Sequence, residues 1–440
     1  MSHSQEQHKM DRTLDSLHIP ARRKNMRRSR FAGLALITVV LFLAGCDAAP
    51  QPPAHTNAWL SYKFSRNCPS PSQSNNLSGC PALIDVSEAS NYYNTIGANA
   101  LVAPPNGTLF DAWLAANGFT SGAQDVRAVY GNRGDLAFGR DMHCLQSGQN
   151  IACYVTNYGP PPVKVANGFG FQNCDWTGCT PNQSFPTYEF PALEGGGAID
   201  DAISGHGPFG TVAMVWTPNS GAPNNANNVT FYAFGVDGSL LRNVALDDEP
   251  IDEPVGNGKV IPRMCMACHG GRYDSPTDSV LGASFLPFDM YSFKFSNDFN
   301  FDLYGQEEAF RKLNQLVLAT NPPAPAIADF INGSYPKGVA NTGSIEIDNY
   351  VPPGWAPDPG LYNLVVKPYC RTCHLAEPGN ADFGTYQKFV AEASTTNDLV
   401  CNSHDMPHAE IPYVRFWLKD IVAQQKLRDF LKSQGQTGCP

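Results

Sequence analysis

Charge is scarce in this 440-residue chain: Asp, Glu, Lys and Arg make up 16 per cent of it. The shortage is heaviest on the basic side, with 30 Lys and Arg against 40 Asp and Glu and a formal net charge of −10. That acidic balance argues against nucleic acid as a partner. Long hydrophobic runs are missing too. The apolar stretch Phe31 to Gly45 is 15 residues, short of the roughly 20 that span a bilayer. There is no phosphate-binding loop, nucleophile elbow or zinc-protease signature, and no low-complexity tract. What the chain has in quantity is Gly and Pro, 39 and 36 residues, which suits a loop-rich globular protein rather than a helical bundle or a disordered chain. Its length allows two or three domains.

One short pattern occurs twice: Cys265-Met266-Ala267-Cys268-His269 and Cys370-Arg371-Thr372-Cys373-His374. Each reads Cys-x-x-Cys-His, the attachment pattern for c-type haem. On a helix, positions i, i+3 and i+4 share a face. Both thiols can then bond one porphyrin edge while the histidine reaches the iron as its proximal ligand. With thirteen cysteines and ten histidines, chance yields about 0.01 copies of the pattern. A shared zinc site is disfavoured because 101 residues separate Cys268 from Cys370, whereas paired zinc knuckles lie about 15–20 residues apart. The pattern predicts two covalently bound haem c groups, on Cys265, Cys268 and His269 and on Cys370, Cys373 and His374.

The first 46 residues read as a targeting segment. A basic run (Arg22 to Arg30) precedes the short apolar core, as in a signal peptide, and the core ends Leu43-Ala44-Gly45-Cys46. This resembles the lipobox of bacterial lipoproteins, which implies cleavage before Cys46, lipidation of its thiol, and a membrane-anchored protein on the periplasmic side. Asp47 resembles the signal for inner-membrane retention. Arg27-Arg28 hints at a twin-arginine signal, but that route carries folded cargo, and haem attachment needs thiols in an unfolded chain. The first 45 residues carry eight Lys or Arg and three Asp or Glu, leaving 22 basic and 37 acidic residues and a net charge of −15 after cleavage. Such a surface suits a basic or neutral redox protein as partner.

Setting aside Cys46 and the motif cysteines leaves eight. An even number in an oxidising compartment reads as disulfides, and near neighbours close most cheaply: Cys68 with Cys80, Cys144 with Cys153, Cys174 with Cys179, Cys401 with Cys439.

Along the chain, residues 47–57 form a Pro-rich tether and 58–255 an α+β domain. A helix is predicted over Thr108 to Asn117, strands at Ile151 to Val155, Thr211 to Trp216 and Val229 to Phe234, and a hairpin at Asp237-Gly238. Gly256-Asn257-Gly258 marks a boundary. A first haem segment follows over 256–350, with Gly270 and Gly271 letting backbone pass close to a flat ligand. An amphipathic helix carries Phe310, Leu313, Leu316 and Val317 and is ended by Asn321-Pro322-Pro323. The last module, 351–440, places in order the haem motif, a helix of Tyr386, Phe389 and Val390, Met406-Pro407, and a helix from Pro412 to about Lys432 with Phe416, Trp417, Ile421, Leu427, Phe430 and Leu431 inward. Over about 80 residues this order resembles a class I cytochrome c domain. The resemblance implies Met406 as distal ligand, a soft thioether suited to haem iron. His404 and His408 compete for that place. The expected fold is therefore α+β, a disulfide-containing β-rich N-terminal domain followed by mainly α, cytochrome c-like haem modules.

The first haem segment has no Met-Pro at the usual place. Met290, within Leu286-Pro287-Phe288-Asp289-Met290, and His143, on an arm beside Cys144, are equal candidates for its distal ligand; His206 is a third, and an open sixth position a fourth. The function these features predict is electron transfer by a lipid-anchored dihaem c-type cytochrome. The alternative is a dihaem enzyme, peroxidase- or oxygenase-like, with one open iron and Arg140, Asp141 and His143 as distal acid, base or charge-stabilising groups.

Overall fold

The structure is a computed structural model. It describes residues 61–64, 83–135, 138–158, 174–175, 178–179, 198–218, 228–241, 244–247, 259–377, 379–403 and 410–439. Cys46, Met406, His404, His408, the Cys68–Cys80 pair and the boundary at 256–258 lie outside these residues, and the side chains of Cys174 and Cys179 are not described.

The chain is a mixed helix-and-sheet protein built on one six-stranded antiparallel sheet. Its strands are β1 (Val126–Asn132), β2 (Gly139–Ser147), β3 (Asn150–Tyr158), β4 (Pro208–Thr217), β5 (Asn228–Phe234) and β6 (Phe293–Lys294), ordered β6-β1-β2-β3-β4-β5. Register is set by rows of paired residues, among them Val126–Cys144–Cys153–Met214–Phe231 and Ala128–Met142–Val155–Val212–Ala233. Side chains alternate across a strand, so both rows, with Tyr130, Arg140 and Asn157, share one face. The opposite face carries Asp141, His143, Tyr154, Tyr232 and Phe234. There Trp113 and Phe110 of helix α1 (Leu109–Ala116) pack edge-on against Tyr154, with centroids 6.3 and 5.3 Å away. That helix starts at Thr108, whose hydroxyl accepts from the Asp111 amide while Asp111 accepts from the Thr108 amide, a complete capping box. Cys144 and Cys153 face each other in the register, and their sulfurs are bonded.

A first hydrophobic core runs from the sheet through helices α2 (Arg263–His269), α3 (Leu303–Ala319) and α4 (Pro325–Ser334) as far as Ala376. α3 buries the stripe read from the sequence, and its buried Asn314 bonds both backbone groups of Phe288. A second core spans Trp355 to Cys439. The short α5 (Arg371–His374) lies where the two meet in sequence, and the second core holds α6 (Tyr386–Ala391), α7 (Glu410–Lys419) and α8 (Ile421–Ser433), tied by a Cys401–Cys439 disulfide.

The single C-terminal helix expected from Pro412 to Lys432 is two helices. Asp420 breaks it: its carboxylate accepts from the Ala423 amide at 2.9 Å and caps α8, while the Gln424 amide donates to the Phe416 and Trp417 carbonyls that end α7. The break turns Ile421 outward, 58 per cent exposed, whereas Phe416, Trp417, Leu427, Phe430 and Leu431 are buried as expected.

Candidate haem-binding site

The two Cys-x-x-Cys-His segments are neighbours. The Cys373 thiol lies 3.4 Å from the Cys268 sulfur. Gly270, directly after the first motif, has φ 64, and a Cβ there would lie 2.0 Å from the Ala376 carbonyl oxygen, just after the second motif. Only glycine allows this approach. The expectation that this glycine passes close to a flat ligand thus acquires a different partner, backbone from the other motif. Gly134, in the loop after β1, packs as closely on Thr372 inside the second motif.

Each motif histidine is fixed in the same way. The hairpin of Arg272–Asp274 and Ser279–Leu281 returns the chain to His269. Ser284 donates its amide to the His269 carbonyl, and His269 Nδ1 donates to the Ser284 carbonyl, both at 2.9 Å. His374 Nδ1 donates to the Ala381 carbonyl at 2.7 Å. A carbonyl only accepts, so in each ring the proton sits on Nδ1 and the lone pair on Nε2, the tautomer of a metal-binding histidine oriented through its other nitrogen. Burial favours the neutral ring, pushing His269 down to about 4 and His374 also downward. The His374 ring also stacks on Phe383 at 4.0 Å and 3°. Phe383 holds φ 44, a left-handed conformation that costs a bulky residue about 1–3 kcal/mol. Its carbonyl is anchored by Trp355 Nε1 at 2.9 Å.

The four motif thiols are free and half-buried. Burial pushes Cys370 up to about 12 and Cys265 well above the usual thiol range, and the hydrogen bond to Cys268, then burial, raises Cys373. Neutral thiols of this kind are not activated nucleophiles. Among the described residues, no three His, Cys, Asp or Glu side chains converge as a zinc site requires.

Two cavities flank the motifs. The first, of about 220 Å³, is lined by Cys265, Cys268 and His269 on one side and by the sheet face carrying Met142, Val155, Met214 and Phe231 on another. Its polar lining includes Tyr130, Asn132, Asp135, Arg140 and Asn157 from the strands and the loop after β1, and Asp289 and Arg371 from the opposite side. There Arg140 pairs with Asp135, which also accepts from Asn132 at 2.8 Å. The second, of about 190 Å³, is lined by Cys370, His374, Phe383, Phe389, Val400, Pro412 and Phe416 among others. Val400 and Pro412 stand on either side of the segment that carries Met406. The first cavity is lined by Cys265, Cys268 and His269 and also by Cys373 of the second motif, and the second by Cys370 and His374, so each brings together thiol and imidazole groups, a donor set that fits a thioether-linked haem.

The other predicted ligands are placed as follows. His143 lies on the opposite sheet face from Met142. Its Nδ1 bonds Asp125 at 2.5 Å and its Nε2 lies 3.2 Å from Asp141, while the ring stacks on Tyr154. Arg140 lines the first cavity; Asp141 and His143 do not. Met290 is buried at the start of a single 3-10 turn, next to the lining residue Asp289, but is not itself a lining residue. His206 is exposed, 3.7 Å from Asp201. Sequence reasoning missed Arg371, whose side chain enters the first cavity from the second motif. It also missed Ser284 and Ala381, which act through backbone and leave no side-chain signal. No family model, curated protein or solved structure matches the chain.

Proposed function

We propose that this protein is a dihaem c-type cytochrome, lipid-anchored through Cys46 on the periplasmic side of a bacterial membrane, that passes electrons between two adjacent haems and a redox protein. The observation that carries the reading is the 3.4 Å contact between Cys268 and Cys373, each in a motif whose histidine keeps its Nε2 lone pair. Haem c, when bound, supplies a one-electron iron couple. Cys265 and Cys268, and Cys370 and Cys373, would hold the two groups by thioether bonds. His269 and His374 would ligate iron, their rings fixed by Ser284 and Ala381. The sheet face, Phe231 included, gives the first compartment an apolar wall, and Phe383 and Phe389 do so for the second. Met406 is the distal ligand we assign to the second iron. The test is mass and pigment analysis of the full chain: two haem masses retained after denaturation and acetone extraction are expected, and released pigment would refute the proposal.

A second reading, a dihaem oxidoreductase acting on peroxide or oxygen, is favoured by one observation. Arg140, Tyr130 and Asn157 put hydrogen-bonding groups on the sheet wall of the first cavity, where they would stabilise charge on a bound oxygen species. Two low-spin haems in the oxidised protein support the carrier. A high-spin component that reacts with peroxide supports the enzyme.

A further inference from the structure

Arg371 belongs to the second haem motif, but its side chain does not serve the second cavity. It lines the first, together with Asp289. The guanidinium is 3 per cent exposed. Its Nε donates to Asp289 Oδ2 at 2.9 Å, and Nη2 reaches the same oxygen. Its Nη1 donates to the Tyr362 hydroxyl at 2.9 Å, and its plane lies 4.7 Å over the Phe330 ring. Asp289 also accepts from the Ser292 hydroxyl at 2.5 Å. The arginine is thus held by residues of both cores, and its cation sits in the wall of the first compartment beside the Asp289 carboxyl and a second buried carboxyl, Glu346, which burial and then Asp289 push upward so that it favours its neutral form.

From this placement we infer that the Arg371–Asp289 pair sets the reduction potential of the haem bound to Cys265 and Cys268, although Arg371 lies in the attachment motif of the other haem. The inference rests on the dihaem reading above. An electron arriving at the first haem adds negative charge to a site of low dielectric, where nearby fixed charges are weakly screened. Arg371 favours its arrival and Asp289 opposes it. The residue next to Cys370 would then fix the potential difference across the Cys268–Cys373 contact, and with it the direction of electron flow.

The test is a redox titration of the full-length protein, with a Cys265→Ala/Cys268→Ala variant identifying the signal of the second haem. Arg371→Gln should lower the potential of the first haem and Asp289→Asn should raise it. The double variant should return it towards wild type, and Arg371→Lys should leave it near wild type. A merely structural role would move both single variants the same way. Shifts of one sign, shifts confined to the second haem, or no shift would overturn the inference. If Arg371→Gln does not accumulate, the upward shift in Asp289→Asn against an unmoved Arg371→Lys decides the matter alone. Absence of covalent haem from the wild-type chain would instead defeat the dihaem reading and the inference with it. Normal haem content without the opposed shifts defeats the inference only.

Discussion

Trp355 donates its indole N–H to the carbonyl of Phe383 at 2.9 Å, across 28 residues, and Phe383 presents its ring to His374 from a left-handed backbone. The tryptophan is fully buried and packs on Tyr362, Tyr386 and Phe389, so Trp355→Phe keeps most of the packing and removes the donor. The stranded carbonyl is expected to cost about 1–3 kcal/mol, read by urea unfolding. On the dihaem reading proposed above, the spectrum of the haem assigned to His374 should change while that of the haem assigned to His269 does not; an equal change in both would show that Phe383 does not orient His374.

Gly270→Ala tests the interlocking of the motifs. The added Cβ meets the Ala376 carbonyl at φ 64, ψ −159, backbone that essentially only glycine adopts, and the loss should exceed the about 1–3 kcal/mol of the conformation alone. Gly343→Ala is the control, with φ 73 and open space around it. Equal destabilisation of the two would mean that the motif segments do not press on each other.

The two described disulfides should differ in worth. In the chain-entropy view, the Cys401–Cys439 bridge, with a sequence separation of 38, contributes about 4 kcal/mol, and Cys144–Cys153, separated by 9, about 2.6 kcal/mol. Double-serine variants compared by denaturant midpoint should follow that order.

His143 predicts a pH dependence. Burial opposes its charge, but hydrogen bonds to Asp141 and Asp125 outweigh burial, and its pKa is raised above 6.5. A raised pKa means that the folded state binds the proton more tightly than the unfolded chain. The contribution is complete on the acid side of pH 6.5, while both carboxylates stay ionised, and fades as pH rises through the folded value. Unfolding free energies measured from pH 5 to 9 should fall with pH more steeply in wild type than in His143→Gln. Parallel profiles would show that the ring is not held charged.

Much of the secondary structure was legible because it rests on local signals. Thr108 with Asp111 marks a helix start, Phe310, Leu313 and Val317 a buried stripe, and Asp237-Gly238 a turn. The Asp420 break was not legible, because a cap within a continuous apolar pattern is decided by which carbonyls Gln424 can reach. The motifs named the thiols and histidines of the candidate site directly. Their 3.4 Å approach was hidden because it depends on contacts between residues 82 to 238 positions apart: Gly270 on Ala376, Gly134 on Thr372, Arg371 on Asp289. His143 looked like a ligand in the sequence because it sits on a stapled arm. Alternation along β2 decides which face it takes, and sets it opposite Met142.

The sheet also carries a consequence in time. Five of its six strands are complete by Phe234, yet the wall facing them is supplied by residues 264–289 and 371–375. While the polypeptide emerges from its N-terminal end, Met142, Val155, Val212 and Phe231 therefore stay uncovered until residues 264–289 follow, and the wall is complete only with residues 371–375. A late truncation, anywhere before the second motif, would leave a finished sheet with a sticky open side, which is the form most exposed to proteolysis and self-association.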